Sequence, residues 1–512
     1  MRYAHEVGKV RAAERALMAR LPEGTLMQRA AAGLAAVCAG LLDQVYGARV
    51  VLLVGSGDNG GDTLYAGARL ARRGARVHAV AAGSKIHPEG LAALKAAGGR
   101  AVPPESEAAE LIADADLVID GLTGIGGSGS LREPHATLAK LASASTATVV
   151  ACDVPSGVDA GTGRVDGAAV RADVTVTFGT HKPGLLIDPG AAHCGVVKLV
   201  DIGLGPHLSD PDVVAAWPED VQPPEPRSES DKYRRGVVGI LAGGEGLTGA
   251  AVLCTGGAVH GGAGMVRFAS VPHAVELVRH RWPEAVTTVI EPKPDALGKI
   301  GRVQAWVVGP GLGTGEGAES LVEAVLATDL PVLVDADGLT IVARRRELLR
   351  RPSPTVLTPH AGELSRLIDA DREAIEARRL EHVRRAASEL PATVLLKGST
   401  TLVAEVDRPV RVNPTGTPWL ATAGTGDVLS GLIGALLAGG MAPLDAAAAG
   451  AYLHGLAGRI ATAGPPAVAG PSAPFLPSPP FTGKGTDGRA AEAPISAYDV
   501  IEALPAAFRA IW

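Results

Sequence analysis

The sequence predicts an α/β protein built from two consecutive parallel-sheet domains. Apolar, β-branched runs alternate with Ala/Leu/Arg segments of helical spacing. The alternation stops once, in a segment rich in proline and acidic residues, and then restarts. The length, 512 residues, also calls for more than one domain.

The elements follow in order. The stretch MRYAHEVGKVRAAERALMARL at the start is charged throughout and lacks the apolar core of a targeting signal, so a cytoplasmic location is expected. Strand-like runs then recur at RVVLLVG, RVHAVAA, ADLVIDGL, ATVVACDV and DVTVTFG, and the series ends near VVKLVDIGL (196–204). The segment WPEDVQPPEPRSESD (217–231) reads as a linker, which gives domains of 1–216 and 232–512. The second series is GVVGILAGG, RVQAWVVGPGLG, LPVLVDADGL, PTVLTPHAGE and ATVLLKGSTTLVA. VLSGLIGALLAGGMA (428–442) is shorter than the roughly 20 residues of a membrane span and reads as a buried helix. The Pro/Gly-rich segment 464–494 reads as a disordered loop, and ISAYDVIEALPAAF (495–508) as a closing helix.

Composition excludes several classes. A net charge of -6 and 3% aromatic residues supply neither a basic footprint nor stacking platforms for nucleic acid. Membrane partners are not expected either. The cysteines, Cys38, Cys152, Cys194 and Cys254, are scattered without a C-x-x-C pair, which argues against zinc and against a disulfide framework.

Three acidic, glycine-rich turns follow strand-like runs in the first domain: GSGDNGGD (55–62), IDGLTGIGGSG (119–129) and ACDVPSGVDAGTG (151–163). In an open parallel sheet, ligands lie beyond the carboxyl ends of the strands, so the three turns share one rim. Gly60 and Gly61 let a ligand approach the backbone, and Gly124, Gly126, Gly127 and Gly129 suit a pyrophosphate. Asn59, Asp120 and Ser156 are hard oxygen donors of the kind that suits a hard cation. Asp153, at a strand end, is an acid/base candidate. Each turn taken alone is also compatible with a tight βα connection.

In this order and spacing, and preceded by TLMQRAAAGLA (25–35), the three turns resemble the NAD(P)H-hydrate epimerase family over about residues 1–205. The resemblance implies a Rossmann-like, three-layer domain with a K⁺ ion held by Asn59, Asp120 and Ser156. It implies that Asp58, Asn59, Gly60, Gly61 and Asp62 bind the hydrated dinucleotide. The loop of Gly124, Ile125, Gly126, Gly127, Ser128, Gly129 and Ser130 would join them, together with Asp153, which is also the catalytic candidate. The chain departs from the family at Asp58, usually Asn, and at Thr63, usually Gly.

In the second domain, NPTGTPWLATAGTGDVLSGLIGALLAGG (413–440) places Gly424-Thr425-Gly426-Asp427 before an apolar helical run. The helix N-terminus is an anion site, and Asp427 suits a base acting on a hydroxyl beside the phosphate. This motif resembles the ribokinase-like fold. The stretches at 230–253, VVGPGLGT (307–314), DADGL (335–339), LTPHAGELSRL (357–367) and LLKGSTTLVA (395–404) resemble ADP-dependent NAD(P)H-hydrate dehydratases over about 230–510. The resemblance implies nucleotide binding by Lys397, Gly398, Ser399, Thr400, Thr401 and Gly426, and hydrate contacts from Ala250, Gly313, His360 and the catalytic Asp427. Asp231 stands where His is common, and TPWL (417–420) where Asn-Pro-Gly-Met is usual.

Together the two resemblances imply a bifunctional enzyme, an isomerase and a lyase, whose substrates are NADHX and NADPHX. ADP with Mg²⁺ would serve the second site, and a homo-oligomer is the expected assembly. A second reading stays open: a ribokinase-like vitamin or sugar kinase fused to a non-catalytic nucleotide- or protein-binding module.

Overall fold

The computed structural model describes residues 1–104, 107–127, 129–463 and 492–512. Ser128 and nearly all of the expected 464–494 loop lie outside the described residues. Two compact units result, Arg2–Val213 and a second that begins at Val214. The α/β class with parallel sheets is what the structure shows.

In the first unit the 7-stranded sheet runs Arg100–Val102, Arg76–Ala81, Arg49–Val54, Leu117–Gly121, Thr148–Cys152, Val174–Phe178, Val196–Val200, all neighbours parallel. Side chains alternate across a strand, so an uninterrupted apolar run must be buried on both faces. Val50, Leu52 and Val54 join Leu34 of the Thr25–Leu41 helix and Leu64 of the Asp58–Arg72 helix in one core. Val51 and Leu53 join Leu138 and Ala142 of the His135–Ala144 helix in the core on the other side. Burying each such side chain contributes about 1.5–3 kcal/mol. Strand order reverses between Arg49–Val54 and its neighbour Leu117–Gly121, and a ligand crevice opens at such a reversal.

The second unit repeats the scheme. Its sheet includes the run Val410–Asn413, Thr401–Ala404, Thr393–Leu396, Thr355–Leu357, Val332–Val334, Ala305–Val308, Val237–Leu241, Met265–Ser270, Val286–Val289. The pairs are parallel except at Thr401–Ala404, which is antiparallel to both neighbours. The reversal falls between Val237–Leu241 and Ala305–Val308. The apolar segment expected as a buried helix forms the Thr425–Ala438 helix, and the closing helix is Ala497–Arg509, capped by Ser496.

The Thr425–Ala438 helix lies on the Thr248–His260 helix through glycines. A Cβ on Gly431 would stand 1.9 Å from the Cys254 carbonyl oxygen, and one on Gly257 2.2 Å from that of Val428. This close approach fixes where the helix N-terminus, and therefore Asp427, sits. Gly431→Ala should drive the helices apart and cost about 1–3 kcal/mol, read as a lower denaturant midpoint. An unchanged midpoint would show that the contact does not set the packing.

Candidate functional site

In the first unit the glycine-rich loop is shorter than its sequence suggests. Only Gly55–Gly57 turn, with Gly57 at φ 102, and Asp58–Asp62 already form the first turns of a helix. The loop reading gives way because a left-handed glycine directly before Asp58 lets the helix start at once. The helix N-terminus thus points at the rim.

The three oxygen-donor residues come together there. The Asn59 side-chain amide donates to the carbonyls of Thr123 (3.2 Å) and Cys152 (2.7 Å), leaving its oxygen free to accept. Asp120 is fully buried, and its carboxylate accepts from the Ser156 hydroxyl (2.6 Å), the Ser156 N–H (2.8 Å) and the Leu122 N–H (3.2 Å). Burial pushes Asp120 up to about 6 despite the Ser156 hydrogen bonds. Among the described residues no group of three or more His, Cys, Asp or Glu is placed to hold a metal. The amide, carboxylate, hydroxyl and carbonyl groups gathered here are all hard oxygen donors.

Asp153 occupies a left-handed backbone conformation (φ 67) at the end of Thr148–Cys152. One carboxylate oxygen accepts from the Thr177 hydroxyl (2.9 Å), the Phe178 N–H (3.2 Å) and the Lys182 ammonium. Lys182 is 1% exposed and also donates to Thr177 Oγ1 (3.0 Å) and the Phe178 carbonyl (3.1 Å). Sequence reasoning missed it. Its only signal is the position of THKPG directly after the strand Val174–Phe178. Arg11 and Glu14, on the Val7–Met18 helix, also reach this site. A Cβ on Gly126 would lie 2.9 Å from Arg11 Nη2, and Glu14 interacts with Lys182, Asp153 and Asp58. Gly124 packs on Asn59, where a Cβ would fall 2.4 Å from Oδ1. Thr63 is buried beside Gly121.

In the second unit Gly424 (φ 89) opens the Thr425–Ala438 helix, so Gly426 and Asp427 lie in its first turn. The Lys397 ammonium pairs with Asp335 Oδ1 (2.8 Å) and Glu363 Oε2 (3.6 Å), and a Cβ on Gly426 would stand 3.5 Å from it. Asp335 also accepts from the Ser430 hydroxyl at 2.7 Å. Burial pulls the Lys397 ammonium down, but Asp335 and Glu363 outweigh it and the net shift is upward. Burial, then Asp335, pushes Asp427 up to about 7, with Asp337 and Glu363 adding and Lys397 opposing. Gly313 donates its N–H to Asp337 (2.8 Å), and Ala250 packs against Gly311. His360 caps the Ala361–Ile368 helix through Nδ1, which accepts from the Gly362 (3.0 Å) and Glu363 (3.2 Å) N–H groups. Any ligand contact must therefore use its Nε2 edge.

The Lys397–Thr401 turn rests on Arg379, which sequence reasoning also missed. Arg379 is buried and donates to the Lys397 carbonyl at 2.9 Å, and Gly398 leaves it room. Its run, EARRLEHVRR, carries no signal that separates it from a solvated charged helix. Trp419 donates its indole N–H to Glu492 (2.8 Å), and the Asp231 carboxylate accepts from the Tyr233 and Arg234 N–H groups.

Two acid–base clusters, each at a helix N-terminus beyond the carboxyl ends of parallel strands, define a two-site α/β enzyme. Comparison with known proteins narrows the class. Residues 23–184 match the family model for the YjeF-related protein N-terminus, and residues 238–471 the model for NAD(P)H-hydrate dehydratase. The chain is 48% identical to the bifunctional NAD(P)H-hydrate repair enzyme Nnr of Mycobacterium tuberculosis, covering 88% of this chain and 92% of the relative. It is 47% identical to that of Mycobacterium leprae, covering 91% and 95%. Among solved structures, the ADP/ATP-dependent NAD(P)H-hydrate dehydratase of Bacillus subtilis, co-crystallised with ATP/Mg²⁺, is 27% identical with a TM-score of 0.46. That likeness covers 58% of this chain and 96% of that one. The chain belongs to the family of bifunctional NAD(P)H-hydrate repair enzymes.

The electrostatics of Asp427 give a direct test. Its raised pKa means that the folded state holds a proton that the unfolded state has already lost. This contribution to stability is complete below the ordinary carboxyl value and is lost as pH rises through about 7. A carboxyl ¹³C titration should show the Asp427 midpoint near 7, and Asp335→Asn should lower it by removing a neighbouring like charge. A midpoint that stayed put or rose would show that Asp335 does not act on Asp427.

Proposed function

We propose that the first unit interconverts the two C6 epimers of hydrated NADH and NADPH, and that the second dehydrates the S form at the expense of ADP, giving AMP and phosphate. The observation that carries this reading is Asp427. It is a carboxyl pushed up to about 7 in the first turn of a helix, with the Lys397 ammonium beside it. A base with that pKa suits proton removal from a hydroxyl near neutrality. The helix N–H groups and Lys397 suit the charge of a transferring phosphoryl group.

The steps follow from these groups. Asp427 takes the proton of the ring hydroxyl, whose oxygen attacks the terminal phosphorus of ADP, and AMP leaves. Phosphate then departs from C6 with the electron pair of the C6–O bond, C5 gives its proton to water, and the C5–H pair restores the ring double bond. The Lys397–Thr401 turn and Gly426 hold the nucleotide, whose phosphates bring Mg²⁺ with them. Ala250, Gly313 and the Nε2 edge of His360, which also faces Glu363 at 3.6 Å, line the hydrate side. In the first unit the Asp58–Asp62 helix start, the loop around Gly124–Gly127 and Asp153 hold the hydrate. Asn59, Asp120 and Ser156 hold K⁺, whose charge offsets a buried carboxylate that has no cationic partner of its own among the described residues. The two activities divide between the two units, which part at Val213 and Val214.

Asp427→Asn should lower ADP-dependent dehydration by about 10²–10⁴-fold, the usual contribution of a positioned base, and leave epimer interconversion unchanged. Each half-reaction is assayed separately on the mixed epimers. Dehydration within about tenfold of wild type removes Asp427 as the base. A stable phosphorylated product from a small alcohol would favour the kinase reading.

Asp120→Ala should weaken the dependence of epimerisation on K⁺ and leave dehydration intact. Equal wild-type rates in K⁺ and choline buffers would contradict the cation assignment.

A further inference from the structure

We propose that Asp62 is a second catalytic carboxyl of the first site, the donor of a proton to the C6 hydroxyl of the hydrate. Lys182 is then a positioning residue that holds Asp153 ready to accept one. The proposal rests on the epimerase reading above.

Asp62 is 7% exposed, and its Oδ1 has no hydrogen-bond partner. A buried carboxylate oxygen left bare costs more than a carboxylic acid in the same place, so the geometry favours the protonated form. The surrounding charges agree. Asp58 on its own helix, Glu14 from the Val7–Met18 helix and Asp153 from the strand end all face it. His87 borders Gly61, one residue away. Burial first, and then these carboxylates, raise Asp62 well above the ordinary carboxyl range. Lys182 opposes the rise, but its ammonium is committed to Asp153, Thr177 and Phe178. One carboxyl of the site is therefore kept protonated while another is paired with an ammonium. Such a division of two carboxyls assigns acid and base roles.

The chemistry balances. The C6 carbon of the hydrate bears the hydroxyl and is bonded to ring N1. Asp62 gives its proton to the hydroxyl oxygen, the C6–O bond breaks and water leaves, while the N1 lone pair forms a C6=N1 bond. A second water adds to the opposite face of C6, the π pair returns to N1, and Asp153 takes the proton lost by that water. One water leaves and one enters. Exchange with solvent returns the proton to Asp62, and the reverse reaction exchanges the two roles.

The test uses the full-length chain and mixed epimers without ADP, so that only interconversion is read. Asp62→Asn should lower kcat by about 10²–10⁴-fold. The wild-type rate should fall as pH rises and Asp62 loses its proton, and this fall should be absent from the residual activity of Asp62→Asn. Lys182→Met should also lower kcat, and Lys182→Arg should restore part of it. In H₂¹⁸O each interconversion should place one ¹⁸O on C6. Activity of Asp62→Asn within about threefold of wild type overturns the proposal. So does an alkaline fall that disappears in Glu14→Gln instead. If Asp62→Asn does not fold, the wild-type profile and Asp62→Glu decide, and a profile with no alkaline fall overturns the proposal. A wild-type chain that does not interconvert the epimers removes the functional reading itself. An active wild type with an equally active Asp62→Asn removes only this inference.

Discussion

A lysine tied to a buried aspartate anchors each site. Lys182 meets Asp153 in the first unit, and Lys397 meets Asp335 in the second. Taking one partner from such a pair leaves an uncompensated buried charge, at a cost of roughly 3–5 kcal/mol. The rest of each site is arranged around that constraint. The aspartates sit at strand ends, and the chain beside them takes a left-handed turn that non-glycine residues rarely adopt: Asp153 itself has φ 67, and Ala336, next to Asp335, has φ 49. Backbone strain of this kind costs on the order of 1–3 kcal/mol per residue and persists where its surroundings over-determine it.

The two sites use the same parts differently. Each sets a second carboxyl in the opening turns of a helix, Asp62 in one and Asp427 in the other, and burial raises both. In the first unit the raised carboxyl is buried with a bare oxygen, which suits a proton donor. In the second it reaches about 7 beside a half-buried lysine, which suits a base near neutrality. Placement of each helix depends on close backbone approach, at Gly257 and Gly431 in the second unit and at the Gly55–Gly57 turn in the first.

Much of this was legible in the sequence. The parallel sheets follow from uninterrupted β-branched runs, because a strand buried on both faces cannot alternate. Asp120 and Asp153 could be picked out because they lie in glycine-rich stretches at strand ends, and Asp427 because Gly-Thr-Gly-Asp opens an apolar helical run. Lys182, Glu14 and Arg379 could not. Lys182 meets Asp153 across 29 residues, and Arg379 meets the Lys397 carbonyl across 18. Contacts of that range are made by the fold and leave no local pattern. The loop at Asp58–Asp62 looked longer in sequence than it is, because glycine-rich composition hides a helix that starts at its first possible residue.

Two separate acid–base sites in one chain together repair both epimers. The most direct measurement supplies the full-length protein with an equal mixture of the two epimers and excess ADP, and follows the absorbance of the reduced ring together with AMP. The whole mixture should be converted, faster than uncatalysed epimerisation, with one AMP formed for each reduced coenzyme. A plateau after half the mixture is consumed, or AMP released without restored coenzyme, would contradict it.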